Sequence, residues 1–465
     1  MIPYFPKQFS RRAIIVYLLS LATVSLVFFK YMMNLEFIII GITWVLLFFL
    51  LAHRYTKRWV YPQEGKFVRK LFFTALTIRL IWVVFSFVYF LIKNGIPFEF
   101  GAKDSLSYHN AAIWFNEVGW TETLDYLSTK SRGDAGYPLY LFTLYSIMGP
   151  NIFLTRVIKC LLSSWMCVLI YKLAKRNLGS EVGRMAGVFC CLMPNLILYC
   201  GLHLKETEML FLMVACLERT DVMLHRNALR FWDIVLDLLL LASLFFLRNV
   251  LGIAMGFAIF TALVFTSSRM VGRWNRMVLI VWALVALGVF AGGTIANEAK
   301  GMWNGRTSNQ ALKRETQIRK GYDWAKYATG TVMAPMIFVL PFPTMVDVDE
   351  QYNQQLISGG NYVRVFLGVF VLIALYSALF VKRNWRDLSL IGSFEIAYLG
   401  IVAFSGFANS ERFLLPGIPV LMVMAAYGVS LVSERNYRWV KTWCWLVPLI
   451  IIGWAYFKLG TRGLF

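Results

Sequence analysis

Apolar runs long enough to cross a membrane recur along this chain from residue 13 to residue 457, and no other feature limits its fold so severely. A bilayer core of about 30 Å takes about 20 apolar residues of helix, because in lipid the backbone has to satisfy its own hydrogen bonds. Thirteen spans are predicted, near 13–29, 36–52, 71–92, 152–173, 184–201, 206–220, 231–247, 250–267, 277–295, 363–381, 388–406, 413–432 and 442–457. The expected fold class is an all-α polytopic membrane protein with interfacial loop helices outside the membrane. Composition agrees: 59% of residues are hydrophobic and only 15% charged, against about 25% charged in a soluble domain. An ordinary globular enzyme is excluded, as are collagen, coiled coil and disordered protein.

The net charge of +21 would suggest nucleic acid in a soluble protein. Here it follows the loops instead. Alternate loops are basic throughout, among them Lys7/Arg11/Arg12, Lys175/Arg176/Arg184, Arg219/Arg226/Arg230 and Lys382/Arg383/Arg386. The opposite set is short or mixed, and its member 93–136 carries six acids against four bases. The positive-inside rule then puts the N-terminus in and the C-terminus out, with no nucleic-acid partner. The seven Cys fall in or beside apolar runs without CxxC spacing and read as small core residues. The first apolar run follows Arg11 and Arg12 and lacks a small-residue cleavage site, so it reads as a retained anchor.

Residues 327–345 are apolar enough to span, but three prolines and the charge pattern of later loops predict a re-entrant or outer-interface segment. The Tyr-rich stretch 137–149 is too short to span and reads as an interfacial helix. Two long outer loops, 93–151 and 296–362, are thus expected to rest on the membrane surface.

An ionisable group at membrane depth costs about 2.5–3.5 kcal/mol on insertion scales, so each one needs a reason. Four clusters fall at outer helix ends: Lys103-Asp104 through Tyr108-His109, His203-Leu204-Lys205-Glu206, Arg248-Asn249, and Asn409 through Pro416. Arg156 and Lys159 enter the fourth span from the same side. Bland readings compete at each. Arg156, Lys159 or Arg248 alone reads as a snorkelling cation, Lys205-Glu206 as a local ion pair, and Asp104 as a solvated carboxylate. Asp233, Asp237 and Glu395 read as structural. Taken together, the outer clusters supply a carboxylate and several fixed cations at one membrane face. That set suits chemistry on an anionic lipid headgroup, where a base activates an acceptor and cations stabilise a phosphate leaving group.

The order of several short elements is characteristic. Asp104 with Tyr108 and Ala111-Ala112 comes first, then Gly136-Tyr137-Pro138-Leu139, then Gly149-Pro150 with Arg156, then Leu204-Lys205-Glu206, and late in the chain Arg412-Phe413-Leu414-Leu415-Pro416-Gly417-Ile418-Pro419. In this order and topology the chain resembles the GT-C superfamily of membrane glycosyltransferases, nearest the protein O-mannosyltransferase and lipid A aminoarabinose transferase group. The resemblance covers roughly residues 71–432. Its acidic motif follows the third span rather than the first, so residues 1–62 are expected to be an added transmembrane hairpin, 63–432 the catalytic core, and 433–465 a C-terminal helix and tail.

The resemblance implies an inverting transfer from a polyprenyl-phosphate sugar to an extracytoplasmic glycan, lipid or protein. It implies Asp104 as base and Lys205, Arg248 and Arg412 on the donor phosphate. Glu206 would position a cation or a sugar hydroxyl, and Tyr108, His109, His203 and Arg156 would contact substrate. No cofactor is named by the residues, and a divalent metal stays open. The outer loops hold no Asn-x-Ser/Thr sequon, which favours a bacterial inner membrane with the site facing the periplasm. Neither GxGxxG nor GxxxxGK[ST] occurs, as a lipid-linked donor would allow. Two other classes remain open on the residues alone: a lipid-linked polysaccharide polymerase or ligase, and a transporter or flippase. Against the transporter stands the lack of a convincing internal repeat.

Overall fold

The computed structural model describes residues 2–129, 132–226, 230–265, 336–348, 351–382, 385–404 and 410–460. The chain runs through α1 (Lys7–Val27), α2 (Leu35–Arg58), α3 (Glu64–Asn94), α4 (Lys103–Thr129), α5 (Arg132–Met148), α6 (Ile152–Leu178), α7 (Ser180–Leu192), α8 (Pro194–Leu198) and α9 (Glu206–His225). It continues through α10 (Phe231–Leu247), α11 (Asn249–Phe265), α12 (Tyr352–Leu356), α13 (Ser358–Tyr376), α14 (Ser389–Phe404), α15 (Glu411–Leu414), α16 (Ile418–Ser430) and α17 (Glu434–Gly460).

Seven stretches are long and apolar enough to cross a membrane: α1, α2, α3, α6, Ser358–Val381, Glu411–Ser430 and Asn436–Gly460. The pair α7 and α8, bent by 51°, makes an eighth. The chain is an all-α polytopic membrane protein. Fewer than thirteen spans meet the length and composition test among the described residues. The reasons are local: α9 carries Glu206, Glu208, Glu218, Arg219 and Asp221, α10, α11 and α14 have only 17, 17 and 16 residues, and the expected span 277–295 lies outside the described residues.

The bend between α7 and α8 has a covalent cause. Pro194 has no N–H, so the Cys190 carbonyl loses its helical donor. Arg79, fully buried in α3, repairs the break. Its Nη2 donates to Cys190 O at 3.2 Å, its Nη1 to Cys191 O at 3.1 Å and Ala75 O at 3.2 Å, and its Nε to Ser163 Oγ at 2.8 Å. A guanidinium at membrane depth is thus matched by carbonyls that the broken helix leaves open. Close helix approaches rest on glycine. A Cβ at Gly428 of α16 would lie 1.8 Å from the Phe370 carbonyl oxygen of α13, and one at Gly136 of α5 would lie 2.3 Å from Phe246 O of α10.

The two ends of the bundle differ. At one end the basic loops expected inside meet: Arg184 donates to Trp59 O, Val60 O and Pro62 O, Lys175 pairs with Glu64 at 2.5 Å, and Arg176 binds Glu218 and Asp221. Asp233 is held there by Arg219 and Arg226, and Asp237 by Thr220 at 3.1 Å. At the other end lie α4 and α5, the start of α6, and the turns before α9, α11 and α15. Of the stretch 137–149, residues 137–148 are helical as expected, within α5. Residues 336–348, the described part of 327–345, include a buried extended run whose Val346 bridges to Met32 in the turn between α1 and α2. Most of the expected outer loop 296–362 lies outside the described residues.

Candidate active site

Four residues far apart in sequence converge at the α4 end. Asp104 lies in the first turn of α4, Glu206 in the first turn of α9, Arg248 between α10 and α11, and Arg412 in α15. Arg412 Nη1 donates to Asp104 Oδ2 and its Nε to Glu206 Oε1. Arg248 Nη2 stands 3.4 Å from the same Oε1, and its Nη1 lies 3.5 Å from the hydroxyl of Tyr398. The Arg248 guanidinium lies 4.5 Å from the Phe413 ring centroid, and Tyr398 donates to Phe413 O at 2.8 Å, which fixes α15 against α14. Two cations therefore face two carboxylates, which suits an arginine fork better than any lysine.

Exposure separates the carboxylates. The Glu206 side chain is 0% exposed and that of Asp104 56%. Glu206 Oε2 is buried with no hydrogen-bond partner among the described residues. Lys205 is buried beside it at the α9 N-terminus, where its carbonyl accepts from Met209 N at 3.0 Å. Tyr108, one turn after Asp104, faces Arg412, and burial raises its phenol above the ordinary value.

A second polar group lies behind the first. Tyr108 packs edge-on against Tyr137 at 5.2 Å, and Tyr137 lies 6.3 Å from the ring of His203. His109 Nδ1 and His203 Nε2 share the hydroxyl of Tyr145 at 2.7 and 3.1 Å. Burial lowers both imidazoles and raises Tyr145, so a phenol donates to one neutral ring and accepts from the other. For His203, the neighbouring Lys159, Arg156 and His109 push in the same direction. Lys159 is buried; its ammonium donates to Leu202 O at 2.9 Å and to Leu204 O, and pairs with Glu208 at 3.5 Å. Arg156, set by the Asn151 cap of α6, donates to Pro97 O, and its Nε and Nη1 have no partner among the described residues.

The structure thus brings Asp104, Glu206, Arg248 and Arg412 into one contact network with Tyr108 beside it, and gathers His109, His203 and Arg156 behind them. Neither Arg156 nor Lys159 snorkels: both are fully buried. Tyr145, Glu208 and Tyr398 were not singled out from the sequence. Tyr145 was hidden in a Tyr-rich amphipathic run, whereas Glu208, an acid beside a short interhelical turn, carried a usable signal. Among the described residues no group of three or more His, Cys, Asp or Glu could hold a metal ion. Asp104 and Glu206 are both bound by Arg412.

Fold and site define a helical membrane protein with a buried-to-exposed carboxylate–arginine cluster at one end of its bundle. No protein-family model matches the chain, and no curated protein does. Among solved structures it is similar to ArnT from Cupriavidus metallidurans bound to undecaprenyl phosphate, at 14% identity and TM-score 0.47 over 81% of this chain and 62% of that one. It is similar as well to the archaeal oligosaccharyltransferase AglB from Archaeoglobus fulgidus in complex with an inhibitory peptide and a dolichol-phosphate, at 12% identity and TM-score 0.43. That match covers 86% of this chain and 56% of the other. The chain spans less than two thirds of the length of each.

Proposed function

We propose that this chain is a glycosyltransferase that takes a sugar from a polyprenyl-phosphate donor and transfers it, with inversion, to an extracytoplasmic acceptor. The observation that carries the reading is the guanidinium of Arg412 in contact with Asp104 and Glu206, with Arg248 beside them. A polyprenyl tail does not leave the bilayer, so its phosphate has to be met by fixed cations at a helix-end depth, where Arg248 and Arg412 stand. Lys205 adds a third cation near the same turn.

In the reaction a hydroxyl of the acceptor attacks the anomeric carbon, the bond from that carbon to the phosphate oxygen breaks, and polyprenyl phosphate leaves with its electron pair. Asp104 takes the hydroxyl proton. Its exposure leaves room for an acceptor, which the buried Glu206 lacks. Glu206 holds Arg412 and Arg248 in place. Charge growing on the leaving phosphate is met by guanidinium groups already oriented, which lowers the barrier without reorganisation. Tyr108, His109, His203 and Arg156 border the acceptor path. Residues 1–62 form an added hairpin, 63–432 the catalytic core and 433–465 the closing helix and tail. The site faces the periplasm of a bacterial inner membrane.

The test is chemical. Purified protein given a polyprenyl-phosphate sugar and extracted envelope acceptors should release polyprenyl phosphate. No release with any such donor would overturn the reading.

A further inference from the structure

The four charges of the site neutralise one another before any substrate arrives. Arg412 spends its Nη1 on Asp104 and its Nε on Glu206, and Arg248 leans on Glu206 at 3.4 Å. An incoming phosphate monoester or diester is drawn to those same guanidinium groups, and its charge competes with the carboxylates already paired to them. Exposure distinguishes the two carboxylates. Glu206 is 0% exposed, sits at the head of α9 and touches two arginines; freed from them it would be a bare charge in an apolar interior. Asp104 is 56% exposed and has water as an alternative partner.

Resting on the lipid-phosphate reading, we infer that Asp104 is the internal competitor of the donor phosphate: phosphate binding displaces the Asp104 carboxylate from Arg412. The exchange sets an order. While paired with Arg412, Asp104 has its Oδ2 occupied. Once the phosphate has replaced it, the carboxylate is free to receive the acceptor hydroxyl. The donor therefore enters first, and the acceptor is activated only in its presence, which protects an exposed base from idle encounters with water or lipid.

The inference predicts a tighter complex from a dead enzyme. Binding of undecaprenyl phosphate to the full-length protein in nanodiscs is measured for wild type, Asp104→Asn and Glu117→Gln, with folding checked by thermal melting. Glu117 is an exposed acid on the same helix, away from Arg412. Asp104→Asn should bind about two- to tenfold more tightly than wild type, as expected for release from an exposed ion pair, and Glu117→Gln should not change. Equal or weaker binding by Asp104→Asn overturns the competition. So does equal tightening by both variants, which would reflect the general field of an acid on α4. Absence of binding by all three proteins would instead remove the lipid-phosphate reading, and the inference with it.

Discussion

Arg412 and Asp104, 308 residues apart in the chain, share a hydrogen bond at the mouth of the site. The pair ties a loop helix, α4, to a short helix that opens one of the apolar spans. Replacing Asp104 by Asn keeps shape and removes basicity. Release of polyprenyl phosphate should fall by about 10²–10⁴, the usual range for loss of a general base, with melting temperature nearly unchanged. Turnover equal to wild type would take Asp104 out of this role.

The two carboxylates should differ in what they do for stability. Loss of the Arg412 partner from the buried Glu206 resembles breaking a buried ion pair, at about 3–5 kcal/mol, eased by the remaining Arg248. Loss of the exposed Asp104 partner should cost about 0–1 kcal/mol. Thermal melting of Arg412→Ala and Asp104→Asn in one detergent gives the comparison, and equal losses would contradict the assignment of Glu206 as anchor.

The imidazole pair imposes a pH dependence. Burial holds His109 and His203 below their ordinary value of 6.5. Below that value the unfolded chain binds more protons than the folded one, so stability is full above it and declines as pH falls through it. Each histidine adds at most about 1.4 kcal/mol per pH unit. His203→Gln should show a shallower loss of melting temperature between pH 7.5 and 5 than wild type. Parallel curves would mean that His203 is not the group that titrates.

Arg79 offers a test of the fold apart from the site. Arg79→Met removes the donors to Cys190 O and Cys191 O while keeping an apolar stem. Each buried carbonyl left bare costs about 1–3 kcal/mol, so a large drop in melting temperature is expected. A variant as stable as wild type would show that the bend between α7 and α8 is held by packing alone.

The sequence made the helices and the polar inventory readable, but not the pairings. Apolar runs mark the lipid-depth part of a helix, which is why 71–92 was expected where α3 runs from Glu64 to Asn94. Pro194 announced the break in 184–201, yet a scan for apolarity passes over a single proline. Arg79 is likewise one residue within an apolar run, although an isolated arginine there is itself a signal. Asp104, Glu206, Arg248 and Arg412 stood out one by one as charges at outer helix ends. That Arg412 would reach both carboxylates depends on how α4, α9 and α15 pack, which no local pattern encodes. His109 and His203 were visible, and the Tyr145 hydroxyl between them was not, because a tyrosine in an interfacial helix needs no partner to be explained.

A cryo-EM structure of the protein in nanodiscs with undecaprenyl phosphate tests the account most directly. The phosphate should lie about 3 Å from the guanidinium groups of Arg412 and Arg248, with the Asp104 carboxylate turned away from Arg412 toward an open path. A phosphate lodged elsewhere on the bundle, with Arg412 still joined to both Asp104 and Glu206, would contradict it.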